Sequence, residues 1–273
     1  CSIAHRSSRP RPLLWPPLEP PQAGHAEILV VDVGQGSAVL VRTAEHTLLY
    51  DAGPRSRDFD QGARTVLPLL RHLGISRLDQ LLISHADSDH SGGALAIHAG
   101  LPVTEVVSGE AGELPITLGA LPCEHGRSWA WDAVEFRLWR WADAPSGNSS
   151  SCVLQVKARG ESILLTGDID QATERALLKS GQPLRSDWLL APHHGSRSSS
   201  SMAFLQAVQA NSVLISRGNH NSYGHPHPLV LARYQQLGLE MHDTVRDGAL
   251  WIDLGSRGRA LGMRNEARFW REK

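Results

Sequence analysis

His85-Ala86-Asp87-Ser88-Asp89-His90 places two histidines and two aspartates within six residues. It follows the apolar run Leu81-Leu82-Ile83 and leads into Ser91-Gly92-Gly93, so the stretch is predicted to leave the end of a strand and open a helix. In an extended or turning segment, residues two apart point roughly the same way. His85 and Asp87 are therefore expected to face one cation while Asp89 and His90 turn toward a second. Capping a helix requires only a single Asp or Ser. Four ligand-type side chains exceed that need, and the reading taken is a dinuclear metal site.

Candidate partners lie further along the chain. Ile163-Leu164-Leu165-Thr166-Gly167-Asp168 is an apolar strand ending in a carboxylate, which is costly to bury unless a cation or several donors satisfy it. The strand predicted over 187–191 ends in Pro192-His193-His194-Gly195-Ser196. Ser196 to Ser201, with Arg197 among five serines, is expected to form an N-cap and an anion-binding surface, with Ser196 and Arg197 touching substrate. The loop 217–228 carries His220, His225 and His227 between restraining prolines. His225 is the expected proton donor or phosphate contact, and the other two are expected to be peripheral. Asp32 and Asp51 end their strands: a turn is favoured for Asp32, while Asp51 either caps a turn or approaches the site.

Between these points the periodicity predicts a meander over 26–33, 37–42 and 46–51, a helix over 61–73, a strand over 78–84 and a short helix over 94–99. Residues 109–126 read as a loop insertion, and strands are expected over 133–138 and 152–156. The second half continues with helices over 171–180, 202–210 and 229–237 and strands over 212–216 and 250–254. Trp129, Trp131, Trp139 and Trp141 surround the 133–138 strand, and a packed sheet edge is preferred over a base-stacking platform.

The metal loop resembles that of the metallo-β-lactamase superfamily, whose usual form is His-x-His-x-Asp-His, with Asp87 where the second His is expected. Together with Asp32-Val33-Gly34-Gln35-Gly36, His193-His194-Gly195-Ser196 and Tyr223-Gly224-His225-Pro226, it is similar to the C-terminal domain of ComEC-type DNA-internalisation proteins. These matches run from about residue 26 to residue 253. The resemblance implies an α/β fold, the αββα four-layer sandwich. It also implies a domain over 25–255, preceded by a Pro-rich linker at 1–24 and followed by a basic tail at 256–273. Asp168 is implied to bridge both ions. One histidine of the pair is implied to ligate beside Asp89, His90 and Asp168: the assignment taken gives His194 to the metal and His193 to catalysis, with the reverse left open. Asp89, His193 and His225 are the expected catalytic residues. The superfamily's third His of the first site is absent, so Asn148 or Ser151, or water, is expected to act as a weak ligand beside His85 and Asp87. The two divalent ions are expected to be manganese, with zinc as the alternative, because Asp87 substitutes a hard oxygen for an imidazole nitrogen.

Composition adds limits. At 273 residues and 41% hydrophobic, the chain can build one full core. No apolar run approaches the roughly 20 residues of a membrane span, and the N-terminal stretch lacks the charged-then-apolar pattern expected of a signal peptide. Net charge is −1, which offers no global case for nucleic acid, although residues 257–273 carry six basic and two acidic residues. Three cysteines stand at positions 1, 123 and 152 without Cys-x-x-Cys spacing, so no structural zinc site is expected. The resemblance to periplasm-facing domains admits a Cys123–Cys152 disulfide, with two buried thiols as the equal alternative.

Taken together, the expected function is metal-dependent hydrolysis of DNA phosphodiesters during natural transformation. The expected partners are DNA and the membrane channel of the parent protein, the expected location is the extracytoplasmic face, and the domain is expected to be a monomer. The alternatives are a non-catalytic DNA-guiding module and a hydrolase of the same fold acting on a non-DNA substrate such as a phosphorylcholine ester.

Overall fold

Two facing sheets carry the centre of the molecule. The computed structural model describes residues 19–264; most of the 1–24 linker and residues 265–273 of the basic tail lie outside that range. Among the described residues, one sheet has eight strands in the spatial order Leu261–Gly262, Leu250–Leu254, Ala26–Val30, Val39–Arg42, Thr47–Tyr50, Leu78–Ile83, Val103–Ser108, Leu121–Pro122. The other has seven, in the order Glu240–Asp243, Ser212–Ile215, Trp188–Leu190, Glu161–Leu165, Val153–Ala158, Val134–Trp139, Ser128–Trp131.

The expected meander is present, with Ile28 opposite Val41 and Leu40 opposite Leu49 in antiparallel register. Side chains alternate across each strand, which divides the apolar residues into three layers. Ile28, Val30, Val41, Leu48 and Leu82 meet Phe136, Leu138, Leu154, Ile163 and Leu214 between the sheets. Leu29, Leu40, Leu49 and Leu81 face outward to Leu70 and Ile97 of the helices Leu67–His72 and Ala94–Gly100. Leu164, Leu189 and Val213 face outward to Leu177, Phe204, Val230 and Tyr234 of the helices Gln171–Lys179, Met202–Val208 and Pro228–Gln236. The αββα sandwich expected from the motifs is the architecture observed.

Several elements differ from the periodicity. The helix expected over 61–73 begins as a π turn at Gly62–Val66 and becomes α-helical only over Leu67–His72. Pro68 has no N–H to donate to Arg64, and its ring would crowd that carbonyl, so the chain cannot run as one α-helix through this point. The loop insertion contains two 3₁₀ turns, Ala111–Glu113 and Ile116–Leu118, and the edge strand Leu121–Pro122. The tryptophans form a packed edge, as preferred: Trp129 stacks on Phe136 at 5.1 Å and Trp131 on His46 at 4.9 Å.

Cys123 and Cys152 are joined by a disulfide across 29 residues. It links the end of the eight-stranded sheet's edge strand to the start of Val153–Ala158 in the other sheet, beneath the strand ends that carry the metal loop.

Candidate metal centre

The strand Leu78–Ile83 delivers His85, and the single turn Ser88–Ser91 turns Asp89 and His90 inward. The fold brings Asp89, His90, Asp168 and His194 together with one potential ligand atom from each, all within 4.8 Å of one another. These residues come from the ends of strands in both sheets, so the cluster exists only once the sandwich has closed.

Two glycines allow the loops to approach this closely. A Cβ on Gly36 would lie 2.3 Å from the Asp89 carbonyl oxygen, and one on Gly167, which has φ +54°, would lie 2.7 Å from Ser84 Cβ. The motif from Asp32 to Gly36 thus buttresses the metal loop from behind, and Ser37 N donates to the Asp89 carbonyl at 3.1 Å. Asp32 itself pairs with Arg264 at 2.9 Å. His193 and His194 both adopt left-handed backbone conformations, φ 51° and 53°, a strain that sets both rings at the mouth of the cluster.

The imidazoles are held at their outer nitrogens. His90 Nδ1 donates to Asp51 Oδ2 at 2.7 Å, and His194 Nδ1 donates to the Ser216 carbonyl at 2.8 Å. When neutral, each ring then presents a lone pair on its inner Nε2. The two Nε2 atoms are 3.2 Å apart, His90 Nε2 lies 3.0 Å from Asp168 Oδ1, and His194 Nε2 lies 3.4 Å from Asp89 Oδ2. Two lone pairs and two carboxylates facing one another require a shared cation. Two tetrahedral nitrogen ligands at about 2.0–2.1 Å from one ion would stand about 3.3 Å apart, so the set fits a divalent metal.

The electrostatics agree. Burial works against a charge on His90, yet Asp168 and Asp51 outweigh it and raise its pKa well above the ordinary value. Burial likewise opposes ionisation of Asp168, but His90 and His194 hold it well below the usual carboxylate range. Asp89 is lowered to about 2 against its own burial, through the hydrogen bond from His194 and the charge of His90. A site that stabilises two carboxylates and a shared positive charge favours a divalent cation.

His85 and Asp87 form a separate pair. His85 is fully buried; its Nε2 makes no hydrogen bond and faces Asp87 Oδ2 at 3.4 Å, and its ring lies 4.4 Å from that of His90. Ser151 stands on the other side of this ring, with its hydroxyl 3.4 Å from His85 Nδ1 while accepting the Asp168 N–H at 3.1 Å. Asn148, on the 3₁₀ turn Gly147–Ser150, contacts the His193 ring at 3.4 Å rather than the His85–Asp87 pair. His193 Nε2 lies 3.5 Å from Asp168 Oδ2, so the two oxygens of Asp168 face different neighbours.

His225 sits behind the histidine pair, its ring 5.5 Å from His193 and 6.4 Å from His194, and its Nδ1 is buried without a hydrogen-bond partner. Burial, with the nearby His193 and His194, lowers its pKa to about 4 and keeps it neutral at pH 7. Ser196 turns inward, its hydroxyl 3.0 Å from that of Ser198, while Arg197 is exposed. The cap of helix Met202–Val208 is Ser201, and Ser199 and Ser200 are buried and bonded to Pro192 and Tyr234, so the serine run is a packed loop. His227 caps helix Pro228–Gln236 and His220 is exposed, both peripheral as expected.

Three groups position the site: Asp51, which the sequence left open between a turn cap and the site, and Glu110 and Ser216, which the sequence did not single out. Asp51, in a left-handed conformation at φ 60°, accepts from Ser84 N at 2.7 Å while orienting His90. Glu110 accepts from Ala86 N at 2.9 Å and Gly147 N at 2.5 Å, clamping the metal loop to the turn that carries Asn148. Ser216 offers only a backbone carbonyl. Asp51 had a usable signal, a carboxylate ending a buried strand like Asp168; a backbone carbonyl has none.

Residues 31–219 match the metallo-beta-lactamase superfamily model, and the chain belongs to that superfamily. Among curated relatives, it is 39% identical over 253 residues to Competence protein ComA of Neisseria gonorrhoeae, covering 91% of this chain and 35% of that protein. It is 28% identical over 257 residues to ComE operon protein 3 of Bacillus subtilis, covering 84% of this chain and 33% of that protein. These names agree with the ComEC-type resemblance carried by the motifs, and the chain spans about a third of the length of these relatives. The metallo-beta-lactamase fold protein YhfI of Bacillus subtilis has the same fold, with TM-score 0.52 at 11% identity, covering 80% of this chain and 95% of that one.

Proposed function

We propose that this domain hydrolyses DNA phosphodiesters with two divalent cations, manganese as the native metal, as the nuclease part of a DNA-uptake protein. The observation that carries the reading is the convergence of Asp89, His90, Asp168 and His194, with both imidazoles fixed from outside by Asp51 and the Ser216 carbonyl. Asp89, His90, Asp168 and His194 would hold the tighter ion and His85 and Asp87 the looser one, with Asp168 available to both. Bound cations supply an activated water and neutralise charge on the displaced oxygen. His193 and His225, both neutral at pH 7 because burial lowers their proton affinity, offer N–H groups to the phosphate, and exposed Arg197 meets the strand beyond it. The set of three carboxylates and three imidazoles favours manganese, which accepts carboxylate oxygen and still tolerates imidazole.

The names of the competence-protein relatives support DNA as the substrate. No helix among the described residues is long and apolar enough to cross a membrane. A DNA-uptake protein needs a channel, which this proposal assigns to the rest of the parent protein, taking this domain as a monomer at its extracytoplasmic face. The Cys123–Cys152 disulfide suits such an oxidising location.

The test is cleavage of single- and double-stranded DNA after chelation and resupply of manganese, magnesium or zinc, from pH 6 to 8.5. Manganese should restore cleavage best. Ligating imidazoles must be neutral, and His90 holds its proton more tightly than an ordinary histidine, because Asp168 and Asp51 outweigh its burial. Activity should therefore already decline as pH falls toward about 6.5. DNA that is bound but intact with every metal would point to the guiding module, and DNA that is neither bound nor cut would point to a substrate such as a phosphorylcholine ester.

A further inference from the structure

The motif Tyr223-Gly224-His225-Pro226 is only partly accounted for by His225. Tyr223 is 68% exposed. Its ring lies over that of His225 at 5.6 Å with an interplanar angle of 25°, and His225 lies over His194 at 6.4 Å and 24°. Three near-parallel rings therefore lead from the metal cluster to the surface. The loop that presents them is pinned: Asn221 Oδ1 accepts the His225 N–H at 2.9 Å, while its Nδ2 donates to the carbonyls of His225 at 2.7 Å and Gly218 at 3.1 Å. Beside the column, a cleft of about 490 Å³ is lined by Asn219, His220, Asn221 and His225, together with Arg217 and its ion-pair partner Asp243, and Arg246, which pairs with Asp247.

An aromatic side chain that is exposed on one face, backed by a second ring and held on a clamped loop, loses little freedom when a flat ligand lands on it. Asn219 and His220, both exposed, line the adjoining cleft with hydrogen-bonding side chains. We infer that Tyr223 and this cleft form a subsite for an unpaired nucleobase next to the phosphodiester at the metal centre. The inference rests on DNA being the substrate, and it adds the strand preference. A base inside a duplex is already stacked and its edges are paired, so only single-stranded or frayed ends can fill the subsite. Stacking is tolerant of base identity, so the preference is for single strands rather than for a sequence.

The experiment measures binding, not turnover. The chelated chain is titrated against a fluorescein-labelled oligothymidylate and against an abasic oligomer of the same length, read by fluorescence anisotropy. The wild type should bind the oligothymidylate more tightly than the abasic oligomer. Tyr223→Ala should weaken oligothymidylate binding roughly 5- to 150-fold, the range of one base stack. Binding of the abasic oligomer should change less than about 2-fold, and Tyr223→Phe should restore the wild-type difference because stacking needs no hydroxyl. An unchanged thermal melting temperature separates this loss from unfolding. Equal binding of both oligomers by the wild type, or equal losses for both in Tyr223→Ala, would overturn the subsite while leaving DNA as the substrate. A wild type that binds neither oligomer would overturn the subsite together with the DNA reading.

Discussion

Asp168→Ala should strip the domain of manganese at concentrations that saturate the wild type. Asp168 is almost fully buried; its Oδ1 lies 3.0 Å from His90 Nε2 and 3.6 Å from His194 Nε2, and its Oδ2 faces His193. Removing a residue that merely orients a ligand costs about 10- to 100-fold in metal affinity. Removing a carboxylate shared by two ions should exceed that, and DNA cleavage should fall with it. Asp87→Ala touches only the looser His85 pair and should leave the tighter ion in place. Equilibrium dialysis followed by elemental analysis reads both, with Asp168→Asn as a variant of nearly native volume to separate ligand loss from misfolding. Full manganese occupancy in Asp168→Ala would sink the assignment of this carboxylate.

The second large effect concerns stability. The Cys123–Cys152 bond closes a loop of 29 residues, which the chain-entropy model values at roughly 3 to 4 kcal/mol. For a domain of this size that corresponds to a melting temperature about 10 °C lower once the bond is absent. Cys152 is fully buried, so a Cys123→Ser/Cys152→Ser variant is a cleaner comparison than reduction of the folded protein. The loss should also reach the site. Cys152 N donates to the Ser84 carbonyl at 2.9 Å and its carbonyl accepts from Tyr50 OH at 2.7 Å, while neighbouring Ser151 bonds Asp168 N and His85. Differential scanning calorimetry giving equal melting temperatures for the wild type and the double variant would contradict the claim.

How much of this was readable in the sequence depends on how local each signal is. The metal loop stood out because its four ligand-type residues lie within six positions, and Asp168 because an apolar run cannot end in a buried carboxylate without a partner. The four-layer architecture followed from the motif resemblance, and the strand alternation agrees with it. The π turn before Leu67 was hidden because Val66, Leu69, Leu70 and Leu73 keep a helical spacing that the proline-forced widening does not disturb. The strand Glu240–Asp243 was missed because it lies at a sheet edge with one exposed and three half-buried side chains, so it lacks an alternating apolar pattern. Ser151 could be named as a neighbour of His85, whereas Asn148, named with it, turns away from the His85–Asp87 pair. Ser151 reaches the Nδ1 side of the ring and Asn148 reaches His193, and those directions depend on where the turn Gly147–Ser150 meets Glu110. The roles of Asp51 and the Ser216 carbonyl arise only from the pairing of strands distant in sequence.

The most direct test of the central claim is an anomalous diffraction experiment at the manganese edge on crystals of the chain soaked in manganese. The strongest peak should lie among Asp89, His90, Asp168 and His194, about 2.0–2.3 Å from the carboxylate oxygens and the two Nε2 atoms. A weaker peak is expected beside His85 and Asp87. Manganese found only on exposed carboxylates, with this cluster holding no peak, would contradict the account.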